Sequence, residues 1–187
     1  MCSTREDQDM VSDFTRRLTR FITARHRLDT PNAEQAALCV EDTVAVIYGG
    51  WHAPVVRRLA ALDGDEAATP VGSVGKRGVE RVAFLNAVAG HALDFDDVHT
   101  LSVTHPSVVL VPALLAMAEA RPETTARVAP ALAVGTAVNV ALGQVLGFGH
   151  YAKGWHATST IGAVAAAAAV AHQLALDEAA AGNALAL

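Results

Sequence analysis

Apolar residues recur every three or four positions through most of the chain, which is the spacing of one face of an α-helix. In the segment 10–25 the apolar face consists of Val11, Phe14, Leu18, Phe21 and Ile22. The same pattern predicts further helices over 30–50, after Pro54, over 79–92, after Pro106, and over 122–146, 158–175 and 178–187. No run alternates apolar and polar residues for long, apart from the ambiguous VVLV. The pattern therefore predicts an all-α helical bundle.

Proline, glycine and polar residues mark the ends of these helices. Thr30 is expected to cap the second helix, with Pro31 at its first position. The inward positions of the short helix after Pro54 are expected to be Val55, Val56, Leu59 and Leu62. Composition predicts disorder for 1–9 and loops over 63–78 and over GFGHYAKGWH, 147–156. Residues 10–187 are therefore expected to form a single helical domain.

Composition and charge narrow the class of protein. The 187 residues are 52% hydrophobic and 18% charged, with a net charge of −5, and no basic stripe for nucleic acid is present. The N-terminus MCSTREDQDM lacks the apolar centre of a signal peptide, and the alanine-rich segment 161–176 is too short for a membrane span. Two cysteines, Cys2 and Cys39, form no disulfide framework. We therefore expect a cytoplasmic protein that binds neither nucleic acid nor membrane.

Two polar stretches interrupt the apolar helices. The stretch HALDFDDVHTLSVTHPS, 91–107, contains three acids and three histidines: Asp94, Asp96, Asp97, His91, His99 and His105. The stretch GHYAKGWHATST, 149–160, lies between the next two helices and includes His156 and Lys153. Loops between rigid helices often carry chemistry, so we expect the two stretches to meet at one end of the bundle. Asp94, His105 and His156 would then converge in one pocket.

Three interpretations of this pocket remain open. In the first, carboxylate and imidazole groups act as general acid and base, taking a proton beside a carboxylate group and protonating a leaving group. In the second, DFDDVH and His105 bind a metal ion, although the spacing matches no standard metal motif and no cysteine joins them. In the third, the residues are structural, with Asp96 or Asp97 capping a helix or pairing with an arginine, and His91 hydrogen-bonded in the core.

Two long motifs resemble the MmgE/PrpD family. The first is NAVAGHALDFDDVHTLSVTHPSVVLVPALLAMAEA, 86–120. The second, GHYAKGWHATSTIGAVAAAAAVAHQLALD, 149–177, follows the family's order of glycine, aromatic, histidine, small hydroxyl residues and an alanine-rich helix. EDTVAVIYGG, 41–50, is similar to the family's early helix. The resemblance extends from about residue 12 to the end of the chain. The family includes 2-methylcitrate dehydratase, cis-aconitate decarboxylase and an iminodisuccinate epimerase.

The resemblance implies an enzyme without metal or cofactor that forms dimers and acts on small di- and tricarboxylates. It also implies a large helical domain and a smaller α/β lid domain. Asp94 matches the first acid of the family's DFDD motif, His105 matches the histidine of the HP pair, and His156 matches the histidine of the second motif. These three are the expected catalytic residues. The remaining polar residues expected to bind substrate are Asp97, His99, Lys153 and Thr158.

The chain departs from the family pattern at several positions. Val98 stands where the decarboxylase has a threonine, and the segment before His105 is one residue longer. Ala137 and Ala141 stand where many relatives carry an acid and a base. The chain also ends at Leu187, before the family's substrate-binding lysine and lid. We therefore expect a fragment, one half of a split enzyme, or a shortened descendant.

These observations favour a lyase, either a dehydratase or a decarboxylase, that acts on a small carboxylated substrate by metal-free acid–base catalysis. Two alternatives stay open. One is a subunit that only binds a partner chain or a ligand. The other is a repurposed cyclase or isomerase for a less charged metabolite, because Lys153 is the only nearby cation. The apolar faces of the last helices predict a homodimer through the alanine-rich helices, or a second chain that supplies the missing elements.

Overall fold

A computed structural model describes residues 5–62 and 78–186, with side chains described from residue 13 onward. These residues form eight α-helices: α1 (Arg5–Thr23), α2 (Thr30–Gly50), α3 (Pro54–Ala61), α4 (Val79–His91), α5 (Pro106–Ala120), α6 (Val128–Ala152), α7 (Ala157–Gln173) and α8 (Glu178–Ala186). A 3-10 helix, Pro122–Arg127, leads into α6. Within the described ranges there is no strand, and an isolated antiparallel bridge joins His99 and Thr104. The predicted all-α fold is confirmed.

Helix α5 lies at the centre of the bundle and packs against α4, α6 and α7. Leu110 and Leu114 of α5 are completely buried, as are Ala165 and Ala169 of α7. Because the α7 residues are small, the helices approach closely. A Cβ added to Gly135 of α6 would lie only 2.8 Å from the Cβ of Ala169. The alanine-rich segment therefore packs as a core helix of this bundle.

The first helices differ from their predicted limits. Helix α1 begins at Arg5, inside the segment 1–9 predicted to be disordered, because a formed helix extends by one residue at little cost. Residues 1–4 lie outside the described ranges. The side chain of Asp29 accepts a hydrogen bond from Asn32 N at 3.1 Å, so Asp29 caps α2 and Thr30 is its first residue. The predicted loop 63–78 also lies outside the described ranges, apart from Gly78.

Helix α3 buries less of its apolar face than the pattern predicts. Val56 is completely buried, whereas Val55 and Leu62 are exposed. The helix is only eight residues long and packs mainly against α4. A single neighbour covers only one side of a helix, and the other predicted inward positions therefore remain accessible to solvent.

Helix α6 continues through most of the segment predicted to be a loop after residue 146. Gly147 interrupts it with φ 57° and ψ −168°, a backbone conformation that glycine adopts without a Cβ clash. The helical path then resumes and ends at Ala152. The turn before α7 is therefore only four residues long, 153–156, and His156 is the N-cap of α7.

One stretch, Pro122–Ala152, is long and apolar enough to cross a membrane by length and composition. Core helices of soluble proteins pass the same test, and α6 within this stretch packs against α2, α5 and α7. The finding is compatible with a soluble protein. Location in the cytoplasm stays a prediction.

The close approach of α2 and α4 gives a test of the fold. A Cβ on Gly50 would overlap the carbonyl oxygen of Ala89, and backbone cannot move aside as a side chain can. We expect Gly50→Ala to lower the free energy of unfolding by about 1–3 kcal/mol. Gly49→Ala is the matched control, because its Cβ would meet only Leu93 Cδ1 at 3.5 Å and alanine favours helix. Urea unfolding measures both variants, and equal stabilities would contradict this α2–α4 contact.

Candidate active site

The loop between α4 and α5 is held against α6 by buried contacts. His99 N donates to Thr104 O at 2.9 Å and joins the two arms of the loop. Thr104 Oγ1 donates to Asn139 Oδ1 of α6 at 2.6 Å. Ser102 packs directly on Gly143, where an added Cβ would overlap it. The side chains of this loop are therefore carried on a rigid support.

The end of the loop is fastened to α5 by Asp97. Its carboxylate accepts hydrogen bonds from the backbone N of Ser107 at 3.0 Å and from the Ser107 hydroxyl at 2.6 Å. Ser107 lies in the first turn of α5, where backbone N–H groups lack partners within the helix. Asp97 therefore supplies an acceptor at this helix start and fixes the position of His105, the N-cap of α5.

A buried carboxylate lies between two imidazoles at the centre of the site. The Asp96 side chain is 2% exposed, and its two oxygens lie 2.9 and 3.0 Å from His91 Nδ1. Asp96 Oδ2 also lies 3.2 Å from His105 Nδ1, an ion-pair distance without the alignment of a hydrogen bond. The centroids of the His91 and His105 rings lie 4.9 Å apart, and the rings meet edge to face. One carboxylate therefore contacts both imidazoles.

His156 approaches this pair from the start of α7. Its exposed ring lies 6.3 Å from the His91 ring and 5.6 Å from the Tyr151 ring. The starts of α5 and α7 are tied together, because His105 N donates to Thr158 Oγ1 at 3.1 Å. The two polar loops therefore meet at one end of the bundle.

Asp94 lies on the exposed side of the same group. Its backbone φ is +56°, in the left-handed region that aspartate tolerates better than most residues. Four side chains each place one possible ligand atom within 4.8 Å of the others: His91, Asp94, Asp96 and His105. Imidazole nitrogen and carboxylate oxygen are ligands of divalent transition metals. These four residues are therefore the ones that would hold a metal ion at this site.

The family model of the MmgE/PrpD N-terminal domain matches residues 16–187. This range includes both polar loops and every helix that carries them. The chain belongs to the MmgE/PrpD family. A comparison with curated proteins finds no match. The family predicted from the two long motifs is confirmed.

In this MmgE/PrpD domain the three residues predicted to be catalytic lie near one another. Asp94 and His105 belong to the same group of side chains, and His156 approaches that group through His91. Residues that transfer protons to one substrate must all lie within reach of it. The geometry is therefore compatible with their predicted roles, which remain predictions.

The residues predicted to bind substrate lie in two kinds of environment. Three of them make hydrogen bonds within the loops: Asp97 to Ser107, Thr158 to the backbone of His105, and His99 to Ser102 at 2.8 Å. These bonds hold the loops in place. Lys153 is exposed at the C-cap of α6, and its ammonium has no ion-pair partner in the described part of the chain. Lys153 is therefore the member of the set that is available to a ligand.

The positions that depart from the family pattern are found in two places. Val98 is exposed in the loop that carries the acids. Ala137 and Ala141 line an apolar cavity of about 520 Å³ together with Phe14 and Phe21 of α1. The alanines that stand in place of an acid and a base therefore contribute to an apolar surface of α6.

The structure adds His91 and Asp96 to the candidate site. The sequence analysis did not name them among the expected catalytic or substrate-binding residues, and it considered Asp96 as a metal ligand, helix cap or arginine partner and His91 as a core histidine. Phe95 is 76% exposed while its neighbour Asp96 is buried, which inverts the usual pattern of apolar inside and charged outside. A hydrophobic pattern cannot identify a buried acid of this kind. The available signal was the unusual density of acids between two apolar helices.

Proposed function

We propose that this chain is a lyase, either a dehydratase or a decarboxylase, that acts on a small carboxylated molecule by metal-free acid–base catalysis. The observation that carries the proposal is the buried Asp96 carboxylate between His91 and His105, with the exposed imidazole of His156 beside them. Membership in the MmgE/PrpD family supports the reaction class.

Asp96 orients the imidazole of His91 through a hydrogen bond and faces Nδ1 of His105. An imidazole that donates its Nδ1 proton to a carboxylate presents the other nitrogen, Nε2, to a substrate. The contact of 2.9 Å between His91 Nδ1 and Asp96 Oδ2 favours this arrangement. Positioned general acids and bases each accelerate proton transfer by about 10²–10⁴-fold, so two such groups supply a large part of a lyase's rate enhancement.

In the proposed dehydration, His156 removes the proton from the carbon next to a carboxylate, and His105 protonates the hydroxyl on the neighbouring carbon. The C–H and C–O bonds break, a C=C bond forms, and water leaves. In the decarboxylation alternative, the bond to a carboxylate breaks, carbon dioxide leaves, and the acid protonates the carbanion. Dehydration uses His156 as the base and His105 as the acid, and decarboxylation uses an acid alone. The same site can therefore serve either reaction.

The charges of the two loops favour a substrate with few carboxylates. Lys153 is the one lysine or arginine in 91–107 and 149–160, and an ammonium binds as a single point charge. A tricarboxylate would also be repelled by Asp94. A single cation beside an acid supports the alternative of a repurposed isomerase or cyclase that acts on a less charged metabolite.

Turnover of defined acids tests the proposal. The purified chain is incubated with 2-methylcitrate, citrate, malate and cis-aconitate, and ¹H NMR follows the formation of an alkene or the loss of a carboxylate. We expect conversion of at least one acid by the wild type and none by His156→Ala. Absence of conversion by the wild type would favour the alternative in which the domain binds a partner chain or a ligand without catalysis.

A metal-dependent reaction is the second candidate, because four donor groups lie within 4.8 Å of one another. The metal-free reaction is favoured because His91 Nδ1 lies at hydrogen-bond distance from both Asp96 oxygens, and an ion that took Asp96 as a ligand would compete with this hydrogen bond. We therefore expect EDTA to leave kcat unchanged. Loss of activity that Zn²⁺ or Mn²⁺ restores would establish the metal-dependent reaction.

We also propose that the chain forms a homodimer, with a second polypeptide as the alternative partner. Helix α7 is covered by α5, α6 and α8, so an apolar surface of α6 is the better interface. Two apolar cavities, of about 520 and 350 Å³, share Ala137 of α6, and the exposed Phe14 and Leu38 lie on the adjoining helices α1 and α2. Exposed apolar surfaces of this kind mark interaction sites.

Light scattering at micromolar concentration tests the proposed assembly. The wild type is expected to be a dimer and Ala137→Glu a folded monomer, because burial of a charged side chain at the proposed interface would cost free energy. Ala126→Glu, in the exposed part of the 3-10 helix, is the matched control and should remain a dimer. A wild-type monomer would contradict the homodimer.

A further inference from the structure

A second polar cavity lies at the other end of α7. Its volume is about 440 Å³, and it is formed where α1 and α7 end and α6 begins. His156 precedes α7 and His172 lies in its last turn, so about 24 Å of helix separates them at a rise of 1.5 Å per residue. This cavity is therefore distinct from the acid–histidine site.

Cationic side chains dominate the lining of the cavity. Its titratable lining residues are Arg25, His26, Arg27, Arg127 and His172, and no described aspartate or glutamate lines it. Arg20 lies in the last turn of α1, and its Nε lies 3.7 Å from Glu178 Oε2, so an arginine forms an ion pair there with an available acid. Among the described residues, Arg25, Arg27 and Arg127 form no such pair.

The two histidines are held by backbone hydrogen bonds. His26 Nε2 donates to Phe21 O and His172 Nδ1 donates to Ile22 O, both at 2.7 Å. Their rings lie 5.5 Å apart. A carbonyl oxygen only accepts, so the nitrogen facing it carries the proton, and the second nitrogen of each ring is left for a ligand or water. These bonds fix one wall of the cavity before a ligand arrives.

The partial charges of the helix ends at the cavity offset only part of the positive charge of its arginines. Arg127 Nη1 donates to Gln173 O at 3.0 Å, which satisfies one of the last carbonyls of α7. The C-termini of α1 and α7 each carry about half a negative charge and the N-terminus of α6 about half a positive charge, which together is about −0.5. Three guanidinium groups carry about +3, so a net charge of about +2.5 remains uncompensated by the helix ends.

We propose that this cavity binds a compact oxyanion with two or more negative charges, either a phosphate group or a small polycarboxylate. Guanidinium groups bind both kinds of oxyanion through paired hydrogen bonds. The volume falls within the range of small-molecule sites. The inference is independent of the proposed lyase activity, because no residue of the acid–histidine site takes part.

Thermal unfolding and calorimetry with inorganic phosphate and with citrate test this proposal, with sodium chloride at matched ionic strength as the reference. We expect phosphate, citrate or both to raise the Tm of the wild type at low millimolar concentration, and calorimetry to find one site per chain. A response to phosphate alone assigns a phosphoryl group, and a response to citrate alone assigns a polycarboxylate.

Two double variants separate a built site from general effects of salt. Arg25→Gln with Arg27→Gln should weaken binding at least about tenfold, because two charge-assisted contacts are lost. Arg57→Gln with Arg58→Gln makes the same change of charge on the exposed face of α3 and should bind like the wild type. Equal Tm shifts in all three proteins, or no heat of binding to the wild type, would overturn the proposal.

Discussion

Asp96→Asn is expected to lower kcat by about 10²–10⁴-fold while the fold is retained. Asparagine keeps the size of the side chain, but it removes the negative charge and presents an amide N–H group. An imidazole that faces this N–H must accept at Nδ1 and carry its proton on Nε2, which reverses the arrangement in which His91 donates to Asp96. His105, the proposed acid, loses the carboxylate beside its Nδ1. Because Asp96 contacts both His91 and His105, both rings are affected.

Steady-state kinetics and circular dichroism measure this effect. Asp96 is buried and acts through the imidazoles, so kcat should fall with little change in KM. A purely structural role would instead lower Tm and leave the kinetics of the folded protein unchanged. Asp29→Asn is the matched control, because asparagine caps a helix as well as aspartate does. A fully active Asp96→Asn variant would remove the buried carboxylate from the mechanism.

His156→Ala is expected to abolish proton transfer, with a loss of at least about 10²–10⁴-fold, and to change stability little. The ring is exposed, and the side chain makes no capping hydrogen bond to α7. Little apolar surface is therefore uncovered when it is removed. Kinetics and urea unfolding measure both quantities, with His52→Ala, an exposed histidine in the turn after α2, as the control. Full activity of the variant would exclude His156, and a large loss of stability would indicate a structural role.

The meeting of the two polar loops was predictable from the sequence because each loop lies between long apolar helices. Successive antiparallel helices bring the starts of α5 and α7 to the same end of the bundle, as the bond from His105 N to Thr158 Oγ1 shows. The end of α6 was not predictable, because the left-handed conformation of Gly147 lets the helix resume after a break. The glycine and aromatic residues of 147–156 are typical of a loop, and this composition is the same whether the helix ends at Gly147 or resumes after it.

The arrangement inside the site depends on contacts between residues far apart in sequence. The bond from Thr104 to Asn139 holds the loop on α6, and within this loop Asp96 is buried while Phe95 is exposed. Nothing in a periodic pattern distinguishes these two neighbours. Asp97 accepts two hydrogen bonds at the start of α5, as the interpretation of a helix-capping acid expected, and its role in binding substrate stays a prediction.

Exchange of a substrate proton with solvent tests the central claim most directly. The substrate accepted by the chain is dissolved in D₂O, and ¹H NMR follows the hydrogen on the carbon next to its carboxylate. The account predicts that the wild type replaces this hydrogen with deuterium and that His156→Ala does not. Retention of the hydrogen with the wild type, or equal exchange by His156→Ala, would contradict acid–base catalysis by this site.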